Sequence, residues 1–110
     1  MTSMTRLTYQ ILLALADTAR HGYGIIKEIE ERLGASSSPS TGALYLALQR
    51  MEREGLIVET LERPADVDDP RRRYYRITRE GRELAEGESH RLEAMVTAAR
   101  AKNLLSGETP

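Results

Sequence analysis

At 110 residues, with 40% hydrophobic and 30% charged residues, the chain has the make-up of one ordinary globular domain. The absence of cysteine excludes disulfides and thiolate metal sites, and a formal net charge of −1 argues against indiscriminate binding to polyanions. The longest apolar run, Ile11–Ala16, is too short for a membrane span, and the N-terminus lacks a signal-peptide pattern, so a cytoplasmic protein with no membrane partner is expected.

Thr8, Ile11, Leu12 and Leu15 recur at helical spacing and predict a first helix over Leu7–Leu15. His21-Gly22-Tyr23-Gly24 interrupts it. In the second helix Ile25, Ile26, Ile29 and Leu33 form the dry side, Lys27, Glu28, Glu30 and Glu31 the wet side, and Gly34 is the expected stop. Residues 35–39 read as a loop. Leu44, Ala47, Leu48 and Met51 then mark the buried face of a third helix, capped by Ser38 or Ser40 and closed by Gly55. Its opposite face carries Gly42, Leu46, Gln49 and Arg53, with Tyr45 on the flank.

Residues 56–62 and 71–77 are rich in Leu, Ile, Val, Thr and Tyr and predict two strands. The connector, residues 63–70, holds two prolines and three aspartates and reads as a loose hairpin tip. Thr78 is placed to cap a last helix running to about Lys102, with Glu80 in its first turn. This order predicts a mainly α protein with a small β-hairpin. It divides into a winged helix-turn-helix over residues 1–78, a dimerisation helix over 79–105 and a flexible tail over 106–110. Within one monomer nothing remains to cover the stripe Leu84, Leu92, Met95, Val96 and Ala99. Four or five such side chains, at about 1.5–3 kcal/mol each, are too much to leave wet, so a two-fold homodimer is expected.

Between Arg71 and Arg82 there are six arginines against one glutamate, a focused positive edge on a nearly neutral protein. A helix tip offering hydroxyls and backbone N–H groups, followed by an arginine-edged hairpin, suits double-stranded DNA. Ser40 and Thr41 serve as caps, as phosphate donors, or as both. Tyr45 is either a half-buried core residue or a phenol for phosphate and a ring for sugar. Gln49 is either a solvent residue or a reader of adenine. Alternation along a strand would let at most two of Arg71, Arg72 and Arg73 reach the duplex, leaving the rest to pair with Asp68 or Asp69.

Enzymatic signatures are missing. Gly22-Tyr23-Gly24 lacks a third glycine and a preceding strand, and Asp66-Val67-Asp68 lacks the central glycine and the glutamate of a calcium loop. The two histidines, His21 and His90, are too few for an all-histidine zinc site, and no serine is framed as Gly-x-Ser-x-Gly. No catalytic residue, metal or cofactor is expected.

Four segments together resemble the PadR-type transcriptional regulators. They are Leu7–Leu15, His21-Gly22-Tyr23-Gly24-Ile25-Ile26-Lys27-Glu28-Ile29, Ser40-Thr41-Gly42-Ala43-Leu44-Tyr45 with Leu48 and residues 52–57, and Arg73-Tyr74-Tyr75-Arg76-Ile77-Thr78-Arg79-Glu80-Gly81. The resemblance spans about residues 5–85 and implies a homodimeric repressor of a palindromic operator, often released by a small-molecule effector. It implies DNA contacts from Ser40, Thr41 and Tyr45 on the third helix and from the wing residues Arg71, Arg72 and Arg73; Gly42 and Gln49 on the exposed face of that helix, with Tyr23 and Lys27 on the second, complete the expected DNA-binding set. It also implies pairing through the last helix and the first, which brings Leu7 and Ile11 to the seam. Two departures stand out. Leu46 replaces the proline that many relatives have after this tyrosine, and it either meets a thymine methyl or packs on the wing. The chain also has no Trp or Phe to stack a flat ligand. The competing readings are a winged-helix protein–protein adaptor and a small-molecule sensor at the dimer seam.

Overall fold

Each of the four α-helices begins on a side chain that accepts a hydrogen bond from the backbone three residues on. The computed structural model describes residues 4–62, 69 and 71–105. Thr5 caps α1 (Arg6–Ala14), His21 caps α2 (Gly22–Leu33), Ser40 caps α3 (Thr41–Arg53) and Thr78 caps α4 (Arg79–Ala101). Each cap satisfies an N–H that the helix cannot, and is worth about 1 kcal/mol for Ser or Thr. The expected break at residues 21–24 is therefore shorter than the two glycines suggest, because the second helix already starts at Gly22. Ala35–Ser37, expected as loop, closes into a single 3₁₀ turn.

The helix ends are as specific as the starts. After α3, Gly55 takes φ 79°, and the Leu56 amide donates back to the Met51 carbonyl at 2.9 Å. After α4, Asn103 takes φ 64° and Leu104 donates to Ala99 at 2.9 Å. Both are left-handed caps that return the orphan carbonyls of the last turn to a partner.

Among the described residues three short strands follow the order β1 (Arg20–His21), β3 (Tyr74–Ile77), β2 (Ile57–Thr60), all antiparallel. The two-residue β1 was not expected; it pairs Arg20 with Tyr75 and His21 with Tyr74. The hairpin strands are shorter than their composition suggests. β3 begins at Tyr74, so Arg71, Arg72 and Arg73 lie in the turn before it, and strand alternation does not govern them. The expected hairpin tip at residues 63–70 falls, Asp69 apart, outside the described residues, as does the tail 106–110.

The core is built from Ile11, Leu12 and Leu15, Ile25 and Ile29, Leu44, Leu48 and Met51, closed by Leu56, Ile57 and Tyr75. Ile11 is 0% exposed within the monomer, which corrects its expected place at a dimer seam. Its side chain is used up inside the subunit. Leu7 and Leu84 also lean on this core, though each keeps part of its surface.

The first turn of α4 is bolted to the corner between α3 and β2. Thr78 Oγ1 donates to the carbonyls of Gly55 at 2.7 Å and Leu56 at 2.9 Å, and a Cβ on Gly81 would fall on the Leu56 carbonyl oxygen. Tyr9 and Ser89 then join α1 to α4 through their hydroxyls at 2.7 Å. Beyond Ser89 the helix runs on past the core, with Met95 53% exposed and Val96 42%.

Candidate nucleic-acid interface

The face of α3 turned away from the core presents Gly42, Leu46, Gln49 and Arg53, all exposed, while Leu44, Ala47, Leu48 and Met51 are buried on the other side. A period of 3.6 residues forces this split: the four exposed positions fall within about 60° of one another around the axis. Ser40 holds the tip by accepting the Ala43 amide at 3.1 Å, and exposed Thr41 stands beside it. Arg53 forms no ion pair among the described residues. Arg50, by contrast, is engaged by Glu54 at 3.1 Å and Thr8 at 2.5 Å.

Tyr45 bridges to the second helix. A Cβ on Gly22 would strike its phenol, so the bare glycine lets this ring lie close over the start of α2. The tyrosine nonetheless stays 45% exposed, with its hydroxyl at the α2 tip rather than in the core. Tyr23 stands beside it, with Lys27 Nζ 5.8 Å above the Tyr23 ring centroid. That distance suits a cation–π contact that holds the ammonium at the surface.

The wing arginines close on the same place. Arg71, Arg72 and Arg73 line one cleft with His21, Tyr23 and Tyr45. Arg72 Nη1 lies 2.8 Å from His21 Nε2, and the other ring nitrogen, Nδ1, accepts the Gly24 amide at 3.0 Å. A neutral imidazole carries one N–H and accepts at one nitrogen only, so it cannot satisfy both donors at once. Arg71 pairs with Asp69 at 3.3 Å, the partnership expected for one member of the trio, while keeping most of its side chain in solvent. Arg73 lies near Tyr75, whose pKa is held above the ordinary tyrosine value by burial, then by Glu52, with the guanidinium charge opposing the rise.

The cleft thus gathers Tyr23, Tyr45 and the three arginines beside the exposed stripe of α3, with Lys27 next to them. His21, which caps α2 and lies against Arg72, was absent from the expected set. A histidine is not a usual N-cap, so nothing in its sequence context marked it. Leu92 and Ala99 are partly exposed and join Met95 and Val96 on the projecting part of α4, apart from this surface. Among the described residues no group of three or more His, Cys, Asp or Glu is placed to hold a metal ion, and no helix is long and apolar enough to cross a membrane.

Residues 11–87 match the family model described as the transcriptional regulator PadR-like family. A crystal structure of a PadR family transcription regulator from hypervirulent Clostridium difficile R20291 is similar at a TM-score of 0.74 and 28% identity, covering 88% of this chain and 97% of that one. Bacillus subtilis PadR, solved in complex with operator DNA, superposes with a TM-score of 0.62 at 24% identity, over 76% of this chain and 46% of that one. A Streptomyces fradiae protein described as an uncharacterized 37.1 kDa protein in transposon TN4556 is 41% identical over 80 residues. The match takes in 73% of this chain but spans only 21% of that curated relative.

Proposed function

Because the chain belongs to the PadR-like family of transcriptional regulators, we propose that it binds a palindromic operator as a homodimer and represses transcription from it. Members of this family are DNA-binding regulators rather than enzymes. The observation that carries the reading is the convergence of the α3 face, the α2 tip and Arg71, Arg72 and Arg73 on one exposed surface. In this reading α3 enters the major groove, with Gln49 toward base edges. Ser40, Thr41, Tyr45, Tyr23 and Lys27 hold phosphates, and the arginines follow the flanking backbone. A relative solved in complex with operator DNA supports DNA as the partner.

Residues 1–78 form the DNA-binding unit in this reading, and 79–105 the dimerisation helix. The exposed side chains of Met95 and Val96, with Leu92 and Ala99, support a seam along α4, and a small-molecule effector would act by altering that seam. Bound to the operator, the protein occludes the promoter in the cytoplasm.

Selection of random duplexes with the purified protein tests this. An inverted repeat should emerge with half-site centres about 34 Å, or a multiple of that, apart. Retention of no sequence over the starting pool, at low salt, would falsify it.

A further inference from the structure

Leu46 is 69% exposed in the middle of the α3 stripe, between Gly42 and Gln49. Of the two roles open to it from sequence, contact with a thymine methyl needs that exposure, whereas packing on the wing would cover it. It belongs neither to the core cluster nor to the partly buried residues around it. A single surface leucine ordinarily carries no message. This one is surrounded along its own face by a glycine, a glutamine and an arginine, so it forms no apolar patch of the size a protein partner needs. A lone apolar side chain on a polar stripe matches a lone apolar group on a polar partner. In the major groove that group is the C5-methyl of thymine.

Around α3, Leu46 and Gln49 stand about 60° apart, with a rise between them of about 4.5 Å. Neighbouring base pairs are stacked about 3.4 Å apart. The two side chains therefore fall on adjacent steps of a groove-bound duplex. Gln49 has the amide pattern that pairs bidentately with adenine N6 and N7. A Cβ on Gly42, one turn before Leu46, would meet nothing within 4 Å, and its absence leaves room for the base edges to approach.

We infer that Leu46 is a specificity-determining residue that closes on a thymine methyl, next to a base pair whose adenine Gln49 reads. The inference rests on the regulator reading above and adds the chemistry of the half-site. Contact with the methyl removes from water roughly the area of one carbon group, equivalent to about fourfold in affinity per half-site.

The test replaces each thymine of the selected operator by uracil, one symmetric pair at a time. Uracil deletes only the methyl and leaves base pairing intact. Binding of the full-length protein is followed by fluorescence anisotropy at constant salt. One pair of substitutions should weaken wild-type binding by about fourfold per half-site, or about 15-fold for both. Leu46→Ala should weaken binding to the thymine operator by a similar factor and lose its sensitivity to that same pair. Leu46 is exposed and outside the core, so this variant should melt like the wild type.

Selected half-sites without thymine, uracil substitutions that change nothing, or a Leu46→Ala protein still sensitive to the methyl each overturn the inference while the regulator reading stands. Wild-type protein that binds no duplex overturns both.

Discussion

Replacing Gly42 by alanine should move stability and DNA affinity in opposite directions. Gly42 is the second residue of α3, it is exposed, its φ is not positive, and a Cβ there would meet no atom within 4 Å. Nothing inside the subunit requires glycine. Alanine restricts the unfolded chain and favours the helix, which should stabilise the fold by about 0.5–1 kcal/mol. For a domain of this size that corresponds to a rise in melting temperature of about 2–4 °C. If the bare tip of α3 is the point of closest approach to the duplex, the added methyl creates an overlap of about 1–3 kcal/mol, or about 5- to 150-fold in Kd. Thermal melting by circular dichroism gives the first quantity, and anisotropy with the selected operator gives the second. Higher melting temperature with unchanged affinity would refute the close approach. A lower melting temperature would refute the claim that the site is open.

Other perturbations separate the parts of the surface. Wild-type binding should weaken with salt along a log–log slope of about −5 to −7, for about 6–8 phosphates neutralised per dimer; Arg72→Ala should make that slope shallower by about 2, one contact per half-site. A lysine in place of Met95, which is 53% exposed on α4, should yield monomers in sedimentation while leaving the winged domain folded, because the core does not include that residue. Tyr75 has its pKa raised above 10.0, first by burial and then by Glu52. Below pH 10 it is neutral in folded and unfolded chains alike; above it the unfolded chain ionises first, so stability is lost as pH rises toward the folded value. The fall in melting temperature between pH 9 and 11 should therefore be smaller in Tyr75→Phe, with no difference in pH dependence below pH 9.

The helices were legible because their signals are local. The spacing of Leu44, Ala47, Leu48 and Met51 assigned the two faces of α3, and Ser40, Gly55 and Thr78 marked ends that a cap or a left-handed residue must supply. Pairing was less legible because it depends on distant residues. Arg20 and His21 form a strand only where Tyr74 and Tyr75, more than fifty positions later, offer an edge. Conversely, the β-favouring run from Arg71 stays irregular until Tyr74, because the register of β2 ends at Thr60 opposite Tyr74. The misplacement of Ile11 has a related origin. Periodicity identifies an apolar stripe but not which neighbour covers it, and here α2, α3 and the sheet do so within the subunit. The cleft beside α3 depended on two contacts that no spacing announces: the phenol of Tyr45 lying over Gly22, and the guanidinium of Arg72 lying close to the His21 ring.

The threonine joint at the base of α4 carries a mechanical consequence. Thr78 ties the last helix to Gly55 and Leu56, and Gly81 leaves no clearance beneath it. The same corner ends α3 and begins β2, so the long rod, the probe and the wing share one fulcrum. In a paired assembly, tilting one rod against its twin swings both probes as stiff levers and changes their separation. An effector of the kind proposed above, lodged far from the duplex, would then loosen the grip by spoiling its spacing, without touching the residues proposed to hold the nucleic acid.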